Sequence, residues 1–349
     1  MTWPLAARRF PARRRRRPSV RGRAAGAWLA PVVLLLLGAC RVDRQGIADV
    51  DAYADPEAGA ETAVDGGEPG DVDAAGACVM KEPPSRWATW AMPVAGTADY
   101  DVSTPGVVVD RVTQLIWERD VAADSFTWVE AGARCACLAL AGHDDWRLPT
   151  RIELVSLVDV TRPSPAIDPA AFPDTPGEWF WTSSAAADDP VAAWYVAFFD
   201  GDTHHMDQAT PYRVRCVRSD QASAPPAPAE RTVVRDDGTV FDVATGLTWQ
   251  RAPDPTSRTW SEAAAACASA PSDVGSWRLP DVKELQTLID ESRADPAIDQ
   301  AAFPDTPSES FWASTPLAGQ PGFAWFVSFH NGVAYNSPTE SPHRVRCVR

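Results

Sequence analysis

Between Phe199 and Asp207 the chain sets Asp200, Asp202, His204, His205 and Asp207 within nine positions. Carboxylates and imidazoles this close together are the hard and borderline donors that a divalent cation takes. A solvated hairpin tip is the competing reading and the preferred one, so no metal is assigned. A second stretch, His330 to Asn336, offers His330, Asn331, Tyr335 and Asn336 in a comparable setting. These nine side chains are the candidate ligand-binding residues. No nucleophile stands with a base and an orienter at a diagnostic spacing, and no glycine-rich loop could cradle a phosphate. Ser183 and Ser314 each follow a Trp-x pair and suit strand or turn ends better than catalysis. The chain therefore reads as a non-enzyme with no cofactor.

The elements that would carry these residues occur twice. Trp146-Arg147-Leu148-Pro149 precedes Thr150 and Glu153, and Trp277-Arg278-Leu279-Pro280 precedes Asp281 and Glu284. In each copy a capping residue is followed three positions later by a glutamate, the pattern that satisfies two orphan donors at a helix start. Leu154, Leu157 and Val158, like Leu285, Leu288 and Ile289, then fall on one helical face. Val109 to Arg119 repeats as Phe241 to Arg251, Ala166-Ile167-Asp168 as Ala297-Ile298-Asp299, and Phe172-Pro173-Asp174-Thr175-Pro176 as Phe303-Pro304-Asp305-Thr306-Pro307. Both copies close on Arg-Val-Arg-Cys-Val-Arg, at 213–218 and 344–349. A period of 131 to 132 residues means two tandem domains, not a solenoid.

Each unit reads as α+β: two helices beside a small antiparallel sheet, with an Asn331-Gly332 hairpin signal in the second. Trp117, Trp146, Trp181 and Trp194 recur as Trp249, Trp277, Trp312 and Trp325, and core packing is the preferred account of them. Arg147 and Arg278 are expected in structural ion pairs, and Asp168 and Asp299 in local backbone bonds that brace a loop.

The seven cysteines are Cys40, Cys78, Cys135, Cys137, Cys216, Cys267 and Cys347. Cys267 and Cys347 are the only two in the second unit and should pair. The repeat then pairs Cys135 with Cys216. Residues two apart on a helix point about 200° from each other, so Cys137 reaches instead for Cys78; two free thiols are the alternative.

The first 26 residues hold nine arginines and no acid, and an apolar run from Ala27 to Ala39 follows. That run is short for a bilayer span but suits a signal peptide. It ends Leu37-Gly38-Ala39-Cys40, which resembles a bacterial lipobox and implies lipidation of Cys40; an ordinary cleavage site is the alternative. Arg41 lacks the aspartate that retains such proteins in the inner membrane, so the expected address is the cell envelope, at the outer membrane. The chain carries a net charge of −15, and removing nine arginines leaves −24 for residues 40–349. Such acidity argues against nucleic-acid binding. The expected organisation is a signal peptide at 1–39, a disordered acidic tether at 40–77, domains at 78–218 and 231–349, and a proline-rich linker at 219–230.

The run Gly246-Leu247-Thr248-Trp249-Gln250, the Thr-Trp-x-Glu-Ala helix, Trp-Arg-Leu-Pro, Ala-Ile-Asp, Phe-Trp-x-Ser and the closing Arg-Val-Arg-Cys-Val-Arg resemble the Lcl C-terminal domain family. The likeness covers nearly all of residues 105–218 and 232–349. It implies two tandem C-type-lectin-like domains in which a cysteine of the first helix bonds to one of the last strand. It also implies a binding or adhesion module whose ligand is a polysaccharide or another surface component. A structural envelope protein without a ligand is the alternative, with an enzyme akin to formylglycine-generating oxidases third. The chain departs from the collagen-like members in lacking a Gly-X-Y segment. The Glu-Pro-Asn and Trp-Asn-Asp calcium motifs of sugar-binding lectins are also missing.

Overall fold

A computed structural model describes residues 78–83, 85, 87–90, 92, 98–219, 231–271 and 275–349. Cys40, the expected signal peptide and tether, and all of the expected linker but Ser219 lie outside these residues.

The first unit runs β1 (Tyr100–Asp101), β2 (Val107–Asp110), β3 (Leu115–Glu118), α1 (Trp128–Ala136), α2 (Arg151–Ser156), β4 (Trp179–Ala185), β5 (Ala192–Ala197), β6 (Thr203–Asp207) and β7 (Val217–Ser219). Ser219 thus ends a strand instead of opening the linker. The second unit runs β8 (Thr232–Val234), β9 (Thr239–Asp242), β10 (Thr248–Gln250), β11 (Asp254–Arg258), α3 (Trp260–Ala268), α4 (Val282–Gln286), β12 (Ser310–Pro316), β13 (Phe323–Ser328), β14 (Ala334–Pro338) and β15 (His343–Val345). The regular structure of the described residues is thus mostly strand, with four helices, in two copies of one α+β plan.

Capping starts the second helix of each unit as the sequence predicts. The Thr150 amide donates to Glu153 Oε2 at 2.8 Å, and the Asp281 amide to Glu284 Oε2 at 2.9 Å. The same glutamates clamp the arginine before the proline: Arg147 reaches Glu153 at 2.6 and 2.7 Å, and Arg278 reaches Glu284 at 2.6 Å twice. One carboxylate therefore closes a helix end and fixes the preceding extended segment, a charge-assisted fork at each repeat. Both helices are shorter than their apolar periodicity suggests, because Leu157 and Thr287 already act as C-caps.

The closing Arg-Val-Arg-Cys-Val-Arg run of each unit is fixed by a buried arginine. Arg215 donates to the Glu118 and Arg119 carbonyls at 2.6 and 2.7 Å and to Thr175 Oγ1 at 2.8 Å. Arg346 does the same to Gln250, Arg251 and Thr306, each at 2.6 Å. Their guanidinium groups lie 4.7 Å over Phe172 and 4.8 Å over Phe303. The Phe-Pro-Asp-Thr-Pro repeat is thus a cradle for this arginine, with a ring below and a hydroxyl beside it. Asp168 and Asp299 accept from the amides of Ala170 and Ala301, the local brace expected of them.

All three expected disulfides are present: Cys78–Cys137, Cys135–Cys216 and Cys267–Cys347. The eight repeated tryptophans are buried.

The sequence led us to expect a small sheet in each unit; the structure joins them. One eight-stranded sheet runs in the order β11-β15-β12-β13-β14-β6-β5-β4, and β14 pairs antiparallel with β6 across the unit boundary. It is mixed, since Phe311 pairs in parallel with Arg344. The short helices α2 and α4 cover one face, and the largest apolar core there draws residues from both units. The longer helices α1 and α3 pack against the outer strands of the other face, over two smaller cores. A four-stranded sheet, β1-β2-β3-β7, and a three-stranded one, β10-β9-β8, complete the units.

Candidate functional site

Where β6 meets β14 the register places Thr203 opposite Ala334, and the Ala334 amide donates to Thr203 Oγ1 at 3.1 Å. Both residues face α2 and α4, because Thr203 is paired with Val196 and Ala334 with Val327, two members of the shared core. Strand alternation then turns His204 and Tyr335 to the opposite face. There His204 lies beside Tyr195 with ring centroids 6.2 Å apart, and Tyr335 beside Phe326 at 6.5 Å.

From this junction an aromatic series runs outward in both directions. Tyr195 meets Tyr212 at 5.2 Å, and Tyr212 meets Trp181 at 4.8 Å and Trp179 at 5.6 Å. In the second unit Phe326 meets His343 at 4.9 Å, and His343 meets Trp312 at 4.4 Å. Trp179 and Tyr335 are each 48% exposed, and His204 and Met206 are also exposed. The middle of this face is therefore an open surface between α1 and α3, built from both units.

Asp202 adds charge to it. Burial, then the neighbouring Asp200 carboxylate, push the Asp202 carboxyl up to about 7, and burial also raises Asp200. Burial and then Asp202 hold the Tyr195 hydroxyl well above its ordinary range. Asp202 Oδ1 is buried with no hydrogen-bond partner among the described residues.

The other predicted residues do not join this cluster. His205 turns to the α2 side against Trp194, 5.4 Å between ring centroids, with Asp188 3.7 Å from Nε2. Asn336 turns the same way, opposite Trp325. Asp207 accepts from the Ala209 amide at 2.8 Å, and Asn331 from the Val333 amide at 3.4 Å. His330 sits 3.2 Å from Asp295 in an exposed pair. Nor are the hairpin tips free loops. A Cβ on Gly201 would meet Val158 at 2.6 Å, and one on Gly332 would meet Ile289 at 2.7 Å and Trp194 of the other unit at 3.4 Å. Both glycines have positive φ, so the turns are fixed by backbone and by close approach. Among the described residues, no group of three His, Cys, Asp or Glu side chains is arranged to hold a metal ion.

Tyr195, Phe326, Tyr212 and His343 were not among the predicted residues. Tyr195 and Phe326 carried one signal, alternation, each being a ring between Trp194 and Val196 or between Trp325 and Val327, where one face must differ from the core; Tyr212 and His343 carried none.

Two further cavities lie on the protein, and repeat-equivalent residues line them. One, of about 350 Å³, is lined by Thr150, Ser184, Ala185, Ala187, Glu291 and Ser292 with Met80–Pro83, Trp128, Ser183 and Ala186. The other, of about 460 Å³, has Asp281, Thr315, Pro316, Ala318, Val160 and Thr161 in the six matching places, with Lys283. Lys283 is buried, donates to the Ser156 carbonyl at 2.9 Å, and has its pKa lowered to about 8 by burial.

The Lcl C-terminal domain family model matches residues 106–218 and 238–349, and the chain belongs to that family, in two tandem copies. No curated protein matches the chain.

Proposed function

We propose that this chain is a lipid-anchored protein of the bacterial cell envelope whose two domains form one lectin-like binding face for a polysaccharide or another surface component. The observation that carries this reading is the aromatic series across the open sheet face, with Trp179, His204, Met206 and Tyr335 exposed from both units. An exposed patch of rings and polar groups suits a ligand with apolar C–H faces and hydroxyl edges. The net charge of −24 over residues 40–349, from −15 less nine arginines, disfavours a polyanion. Placement at the envelope rests on the Cys40 sequence context. The reading is of recognition, not catalysis, because the face gathers rings and one carboxyl pair without a nucleophile.

The test is retention of the mature chain on a glycan array and on isolated envelope fractions, comparing wild type with a Trp179→Ala/Tyr335→Ala double variant. Both positions are half exposed, so folding should be intact by circular dichroism. The double variant should lose at least about tenfold in affinity, roughly 1.4 kcal/mol. Unchanged retention would favour the structural envelope role instead.

A further inference from the structure

We propose that the 350 Å³ cavity between the two units binds a single neutral sugar ring, a chain end or free monosaccharide, separately from the open sheet face. The assignment deepens the polysaccharide reading and rests on it.

Three pieces of chain meet to make this cavity: the strap Met80–Pro83, the end of β4 from Ser183 to Ala187 with Trp128 beside it, and Glu291–Ser292 of the second unit. The strap has a built seat. A Cβ on Gly132, in the middle of α1, would lie 2.4 Å from Met80 Cε and 2.7 Å from Met80 Cβ. The repeat-equivalent residue in α3 is Ala264, the better helix former. One turn further, Cys137 holds Cys78, where the second unit has Ser269. Two departures from the repeat, Gly132 and Cys137, thus serve one purpose: they lay the strap along α1 and give the cavity a wall that its counterpart does not have.

The two cavities also differ in chemistry. Glu291 stands where the counterpart has Val160, and Ala185 where it has Pro316. Glu291 Oε1 accepts from Arg151 Nε at 2.9 Å, and both side chains are almost fully buried, so the carboxylate arrives with its charge already balanced. Lys81, bonded to the Asp144 carbonyl, is offset by Glu82 next to it. The lining is therefore close to neutral, which disfavours an ion as the ligand. Ser183 Oγ is buried with no partner among the described residues. An unpaired buried hydroxyl is costly, and a turn of the Ser183 side chain toward the cavity would let a ligand hydroxyl relieve that cost. Hydroxyls both donate and accept, which matches a polyol. The Trp128 indole, fixed by its Nε1 donating to the Thr182 carbonyl at 2.7 Å, and the Met80 thioether supply apolar surface for the ring's C–H face. The volume lies at the lower end of the range for small-ligand sites, about 300–1,000 Å³.

The test titrates the full mature chain, in detergent, with glucose, galactose, mannose and N-acetylglucosamine, following amide shifts by NMR and tryptophan fluorescence. At least one sugar should give saturable shifts at Ser183–Ala187 and Ser292. Ala187→Trp, at an exposed position on the rim, should weaken it at least about tenfold. Ser183→Ala, which deletes only the unpaired hydroxyl, should weaken it less, with the fold unchanged. Tyr335→Ala, which does not line the cavity, should leave it unaltered. If no monosaccharide shifts these amides while the chain is still held on a polysaccharide through Trp179 and Tyr335, the cavity proposal is overturned and the binding function stands. If the sugar shifts map to the open face and Ala187→Trp changes nothing, the cavity proposal is likewise overturned.

Discussion

Thr203 and Ala334 occupy equivalent positions, 131 residues apart, in the two units, and they pair with each other where the shared sheet crosses from one unit to the next. Equivalent residues meet only on a two-fold axis, so the tandem copies face each other as the subunits of an isologous dimer do. The same axis relates α2 to α4, the two hairpin glycines and the two cavities. The chain is a covalent pseudo-dimer, and any ligand face crossing the junction is shared.

The symmetry is broken by charge, which yields the first prediction. Arg151 and Glu291 form a buried ion pair on one side of the axis, and Val282 and Val160 hold the matching places on the other. Arg151→Val alone leaves Glu291 buried without its guanidinium and should cost about 3–5 kcal/mol. Arg151→Val with Glu291→Val copies the solution the chain already uses across the axis, and should recover most of that loss. Chemical denaturation of both single variants and the double gives the coupling energy directly. A double variant as unstable as Arg151→Val would refute the equivalence.

Asp202 gives a pH prediction. Its folded pKa of about 7 lies above the unfolded value near 3.8. Between those values the native state keeps a proton that the unfolded state releases, so stability falls as pH rises from about 4 to 7. The whole penalty, on the order of 2–4 kcal/mol, is in place above pH 7. The equivalent residue in the second unit is Val333. Asp202→Val should flatten that decline and stabilise the protein at pH 8, as read from urea midpoints across the range. A variant curve parallel to wild type would show that Asp202 is ionised throughout.

What was legible in the sequence was what is decided locally or by repetition. The capping boxes at Thr150 and Asp281 are three-residue signals, and the Cys135–Cys216 and Cys267–Cys347 pairings followed from having two copies to compare. The tryptophan positions followed from alternation. The β6–β14 junction was not legible because it rests on one register pair and two glycine close approaches, none with a pattern of its own. The buried Arg215 and Arg346 carry no signal of their own beyond the repeated closing run. Their partners, Thr175 and Thr306, lie 40 residues away in segments that looked like loops. Strand β11 was missed because its Asp-Pro-Thr-Ser-Arg sequence has poor strand propensity; pairing with β15 holds it.

A third prediction concerns the anchor. If Cys40 is lipidated, Cys40→Ala should abolish detergent-phase partitioning of the mature chain or stop its processing. Metabolic labelling with an alkyne fatty acid should mark wild type and not the variant. Label carried by Cys40→Ala, or unchanged partitioning, would rule out this cysteine as the attachment point.

The last prediction follows from the axis and its broken symmetry together. Expressed separately, residues 78–218 and 231–349 would each expose the face that now meets the other unit. A pair of first units would set Arg151 against Val160, with no carboxylate to receive the guanidinium. A pair of second units would set Glu291 against Val282 and leave that carboxylate without its arginine. Only the mixed pair joins Arg151 to Glu291, and Arg151 to Gln286 at 2.8 Å. Buried unpaired charge is the penalty that selects one partner over another. The separated units should therefore form a one-to-one complex when mixed, and neither should dimerise alone at comparable concentration. Arg151→Val in the first unit removes its penalty against self-pairing, so that variant should form homodimers while binding the second unit less tightly. Analytical ultracentrifugation of the two units, their mixture and the variant separates these cases. Wild-type first units that dimerise as tightly as they bind second units would mean that the ion pair does not set the pairing.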